Sequence, residues 1–117
     1  MRTTLSLNLP AARRLLALLA IITTCCWSIA GHARPADCFT TDEGNYACDF
    51  RATGEDGSFE ISAPGKPTYI LNVEEPGVAV GFLGIGGRNT ALPGQYKRRG
   101  ESACWVNTIT RAEICAR

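Results

Sequence analysis

The chain has 117 residues, with 12 Lys plus Arg against 11 Asp plus Glu, one His and six Cys, for a formal net charge of +1. That length holds one domain. A near-neutral balance lacks the surplus charge that drives binding to nucleic acid or anionic lipid, and a lone histidine leaves little for imidazole catalysis or metal ligation.

The first predicted element is a leader. Arg2, Arg13 and Arg14 are basic, and no acid precedes Asp37. An apolar run of 16 residues, LLALLAIITTCCWSIA, follows from Leu15 to Ala30, and Gly31-His32-Ala33 supplies a small-x-small exit. Basic start, short apolar middle and small-residue exit predict a secretory signal peptide over residues 1–33, cleaved after Ala33, with Ala30 as the alternative. The run is shorter than the roughly 20 residues of a spanning helix. Cleavage leaves a single domain, 34–117, in the periplasm or outside the cell, with no stable membrane span. His32 departs with the leader. Nine basic residues then face 11 acids, and the net charge becomes −2.

Cys38, Cys48, Cys104 and Cys115 survive cleavage. An even count in a small exported domain predicts two disulfides, and such domains need them because their cores are small. No C-x-x-C spacing and no histidine remain, so no metal site and no cofactor is expected. Of the three possible connectivities, hairpin geometry favours Cys38–Cys48 and Cys104–Cys115, and bridges joining the two chain ends stay open as the alternative.

Arg34-Pro35-Ala36 reads as a short frayed lead. Setting Cys38 opposite Cys48 places Phe39 against Ala47 and Thr40 against Tyr46, with Asp42-Glu43-Gly44 as a three-residue turn ending on glycine. Beyond it, apolar residues alternate: Tyr46, Cys48 and Phe50; Phe59 and Ile61; Tyr69, Leu71 and Val73; Val78, Val80 and Phe82. Period two with β-branched and aromatic residues predicts strands. Turn signals separate them at 53–57, 63–67, 74–77, 84–89 and 92–95, and Pro67 fits a strand start or an edge. The sum is an all-β fold of six to eight short antiparallel strands, a small sandwich or partly open barrel stapled by two disulfides.

Candidate functional residues are few. Glu55-Asp56 and Glu74-Glu75 pair carboxylates, the minimum for a carboxylate-dependent hydrolase, but both pairs sit where polar turn residues belong. Asp42 to Asn45 and Glu55 to Ser58 lack a full set of calcium ligands. Gly84 to Asn89 is glycine-rich, but no helix follows to complete a phosphate cradle. Gly86, Gly87, Arg88 and Asn89 are instead expected in a long exposed binding loop. Lys97-Arg98-Arg99 is the basic cluster, suited to an acidic partner, a phosphate-bearing glycan or a lipid headgroup. It has no interleaved aromatics for stacking on nucleic acid.

The last element is a hairpin. With Cys104 opposite Cys115, Trp105 faces Ile114, Val106 faces Glu113 and Asn107 faces Ala112, leaving Thr108 to Arg111 as a four-residue loop. Such a loop is a common hairpin connection, and an aromatic–β-branched pair stabilises by roughly 0.2–1 kcal/mol.

Three stretches, YACDF (46–50), GIGGRN (84–89) and YKRRGESACW (96–105), come in an order that resembles the periplasmic C-type lysozyme inhibitors. That family looks like a Tyr-x-Cys strand, a Ser-Gly-x-x-Tyr loop and an aromatic-x-x-Gly-acid-x-Ala strand, and the likeness covers about 60 residues here. It implies a small β-barrel that inserts a loop into the cleft of lysozyme, through Gly84–Asn89 and Arg88. The family's loop serine is absent, and Thr90 stands near the place of its tyrosine. From the residues alone, the expectation is an exported small binding or structural protein that meets an envelope or extracellular protein or glycan. The alternatives are a lysozyme-inhibitor-like protein and a small hydrolase.

Overall fold

Apolar alternation becomes strand in the computed structural model of the chain, which describes residues 32–117. The predicted signal peptide therefore lies outside the described residues, except for His32 and Ala33. Nine strands occur among the described residues: β1 (Arg34–Thr40), β2 (Gly44–Ala52), β3 (Phe59–Ser62), β4 (Thr68–Glu75), β5 (Val78–Ile85), β6 (Arg88–Ala91), β7 (Tyr96–Arg98), β8 (Cys104–Asn107) and β9 (Glu113–Ala116). Their order is β4-β3-β2-β1-β9-β8-β7-β5-β6, and β4 also pairs with β5. Eight strands thus close into an antiparallel barrel, and β6 hangs outside the ring on β5. Full closure removes the exposed edges that a sandwich or partly open barrel keeps.

Closure encloses one core. Ile61 and Leu71 are wholly buried, and Phe59, Tyr69, Tyr96, Trp105 and Ile114 pack with them. The inward faces of β2, β3 and β4 are those the alternation predicts. β5 departs from the prediction. Ala79 and Gly81 are its buried residues and Leu83 packs on the core, while Val78, Val80 and Phe82 are only half-buried. Both faces of VAVGFL are apolar, so alternation alone does not choose between them. The choice follows from Gly81: a Cβ there would stand 2.6 Å from Tyr96 Cε1, so the Tyr96 ring takes the space a side chain would need.

The expected lead is also strand. Arg34 pairs with Phe50, Pro35 with Asp49 and Ala36 with Cys48. β9 registers with β1 only from Cys38 onward, so proline's missing N–H falls where no ladder bond is required.

Both predicted disulfides are present, Cys38–Cys48 and Cys104–Cys115. The second sits in the predicted register, with Trp105 opposite Ile114 and Val106 opposite Glu113. The first does not. Cys38 pairs with Tyr46, and Cys48 with Ala36, so this bridge runs diagonally between residues of one face. The reason is the turn. Thr40 pairs with Gly44, and the turn is Thr41-Asp42-Glu43, held by the Glu43 N–H donating to Thr40 Oγ1 at 3.0 Å. Gly44, with φ 76°, takes the left-handed position after the turn rather than within it.

Antiparallel winding sorts the connections to two ends. One end carries the start of β1, the β2–β3 loop, the β4–β5 turn, the β7–β8 loop and the end of β9. The other carries the remaining turns, including the β5–β6 hairpin.

Candidate binding cleft

At the first end the barrel stays open. A cleft of about 710 Å³ is floored by Phe50, Phe59, Val73 and Trp105 and rimmed by charged side chains. Strand pairing builds this floor. The Phe50 and Phe59 rings stack with centroids 5.2 Å apart and planes inclined by 22°. Arg34, paired with Phe50 across β1–β2, lays its guanidinium 4.6 Å from the Phe50 ring centre. Such a contact favours a cation held over an aromatic face. Arg98 is paired with Trp105 across β7–β8, which carries it to the same opening. Its Nε donates to the Ser102 carbonyl at 3.1 Å.

The acids of the rim occupy another arc. Asp56, on the β2–β3 loop, accepts the Ser58 N–H at 3.0 Å. Hydrogen bonds from the Ser58 side chain and backbone hold its carboxyl below the usual carboxylate range. Ser58 Oγ in turn accepts the Val73 N–H at 2.8 Å, fastening the loop to β4. Glu74 accepts from Gln95 Nε2 at 3.1 Å, and Glu75 follows a register shift in β4. An acid catalyst needs a carboxyl that keeps its proton near neutral pH. Asp56 is tuned in the opposite sense and serves to anchor its loop.

The residues singled out from the sequence are divided between the two ends. Gly86 and Gly87 form a two-residue turn between Ile85 and Arg88, with φ of 58° and 80°. Positive φ at both positions is the requirement of a type I′ hairpin turn. GIGGRN is thus a tight hairpin tip rather than a long loop. Arg88 and Asn89 lie exposed on β6. Lys97 and Arg98 lie on β7, Arg99 just beyond it, and Arg99 forms an ion pair with Glu113. Arg98 is the member that reaches the cleft. Glu74, Glu75 and Asp56 reach it too, while the hairpin tip is at the opposite end.

Sequence reasoning missed the floor. Phe50, Phe59 and Trp105 read as core residues, and only ring closure brings them to one opening. Phe59 opens its strand, Trp105 is second in its own and Phe50 stands two residues before the end of β2, which was the available signal. Among the described residues, Cys104, Glu113 and Cys115 come close enough to suggest a metal, but the two sulfurs are bonded to each other and offer no thiolate.

No helix among the described residues is long and apolar enough to cross a membrane. The two disulfides indicate an oxidising compartment. Compared with family models, curated proteins and solved structures, the chain matches none.

Proposed function

We propose that this protein is an exported binding protein of the periplasm or extracellular space, and that its ligand enters the open end of the barrel. The observation that carries this reading is the cleft: a concave, aromatic-floored opening with a few charged groups at its edge is the usual form of a small-molecule site. Export is supported by the two disulfides and by the leader pattern of residues 1–33. In addition, β1 begins at Arg34, directly after the expected cleavage point.

Trp105 lines the cleft and reports on it. In full-length protein carrying Trp27→Phe, Trp105 is the single tryptophan. Titration with apolar and amphiphilic small molecules is expected to produce a saturable change in its emission. Emission unmoved by every member of a broad panel contradicts the reading.

One observation favours a second reading, a lysozyme-inhibitor-like activity. The β5–β6 hairpin carries Ile85 with 62% of its surface exposed, beside a turn whose geometry is fixed by two glycines. A stiff tip with an apolar residue and Arg88 is suited to entering a cleft on another protein. Purified protein is then expected to slow lysis of bacterial cell walls by lysozyme, and Ile85→Asp to abolish the effect. Unchanged lysis at micromolar protein, across several lysozyme types, removes this reading.

A further inference from the structure

Around the opening, charge is segregated by strand order. Asp56 and Glu74 sit on the β2–β3 loop and β4, whereas Arg98 and Arg34 sit on β7 and β1, with Trp105 on β8 between them in the ring. The acidic arc also holds Glu75; Asp56 accepts from Ser58 and Glu74 from Gln95. A guanidinium carries five N–H donors. Arg98 uses its Nε on Ser102, and the Arg34 guanidinium makes its contact with the Phe50 ring face rather than through an N–H. Donors in surplus therefore face an aromatic floor from one side of the cleft.

We propose that the occupant is an anionic amphiphile: one apolar chain ending in a carboxylate or phosphate. Its head is bound between Arg34 and Arg98, and its chain lies over Phe59 and Trp105. This rests on the open end being the binding end. The acidic arc contributes to selectivity. It repels a second anion and leaves the arginine arc as the favourable place for the head, which fixes the ligand's orientation. Guanidinium groups match planar carboxylate and tetrahedral phosphate oxygens through paired N–H donors, so either head satisfies the same two side chains.

The test is calorimetric titration of the full-length protein with four probes below their micelle concentrations: dodecanoate, dodecyl phosphate, dodecanol and dodecyltrimethylammonium. Both anions are expected to bind with one-to-one stoichiometry, and the tighter of the two identifies the natural head. Arg98→Gln and Arg34→Gln are each expected to weaken anion binding at least about tenfold, from the loss of charge-assisted hydrogen bonds, while dodecanol binding is unchanged. Arg34→Gln guards against a disturbed β7–β8 loop, because Arg34 has no hydrogen bond to that loop. Arg88→Gln, at the opposite end, is expected to leave every affinity alone. Equal affinity for the ammonium probe, or wild-type affinity in both arginine variants, overturns the proposal. If all four probes bind alike and shift Trp105 emission, the open-end reading stands and the anionic head falls. If none binds and Trp105 is silent, both fall.

Discussion

The two ends of one barrel are finished in different ways. Inside the closed end the cavity is about 240 Å³, with a groove of about 530 Å³ between the β3–β4 turn and the β5–β6 hairpin, against about 710 Å³ at the open end. Polar side chains close it. Asn107 is 1% exposed, yet its amide donates to the Pro93 carbonyl at 2.8 Å and accepts the N–H groups of Ile109 and Thr110 at 2.8 and 2.9 Å. Thr40 and Tyr69 meet inside the same end, and Tyr46 buries its hydroxyl without a partner. The open end has an apolar floor and a charged rim instead. The difference teaches that the polar network serves stability, and on the reading proposed above the aromatic floor serves binding. Changes at the closed end should lower stability and spare binding. Changes at the open end should do the reverse.

The largest expected effect is Asn107→Ala. It removes three hydrogen bonds that a 1% exposed side chain makes to the Pro93 carbonyl and to the Ile109 and Thr110 N–H groups, and should cost about 3 kcal/mol in urea unfolding, at about 1 kcal/mol net per hydrogen bond. Gly81→Ala comes next. Its methyl meets the Tyr96 ring and Leu71, and overpacking of this kind costs about 1–3 kcal/mol, read as a lowered unfolding midpoint.

Alkaline pH gives a smaller effect with a defined sign. Burial first, then the neighbouring Tyr69 and Glu43, pushes Tyr46 from 10.0 to about 12, and burial raises Tyr69 and Tyr96 as well. Between those values the folded chain holds protons that the unfolded chain has released, so stability is complete below pH 10 and falls as pH rises toward 12. Denaturation midpoints measured across this window should decline, with phenolate absorbance lagging that of free tyrosine. Tyr46→Phe removes the unpartnered hydroxyl and should flatten the decline without loss of stability at neutral pH. Least of all, Arg98→Gln should change stability by no more than about 0.5 kcal/mol, as expected for an exposed side chain. An equal stability loss at both ends would break the division between them.

Both staples and the inward faces of β2, β3 and β4 were legible in the sequence. Cys104 and Cys115 share one register because a four-residue loop leaves only one convenient pairing, and the structure has it. The Cys38–Cys48 hairpin misled because Gly44 can serve inside a turn or just after it, and the Thr40 hydroxyl decides between the two. The inward face of β5 was illegible for a related reason. Val78, Val80 and Phe82 on one face and Ala79 and Leu83 on the other hide the pattern, and only the Tyr96 ring lying against Gly81 selects the face. The cleft was out of reach, because Arg34, Phe50, Phe59 and Trp105 become neighbours through pairings between distant segments. Arg98 was singled out with Lys97 and Arg99 as a basic cluster and Arg88 with its glycine turn, and the structure sets the first at the open end and the second at the opposite end.

The most direct test of the open end as the binding end is amide chemical-shift mapping of isotope-labelled protein during titration with dodecanoate. The largest shifts are expected at Arg34, Phe50, Gly57, Val73, Gly77 and Trp105, with Ile85 to Asn89 still. Shifts gathered on Ile85 to Asn89, or no shifts at saturating ligand, contradict it.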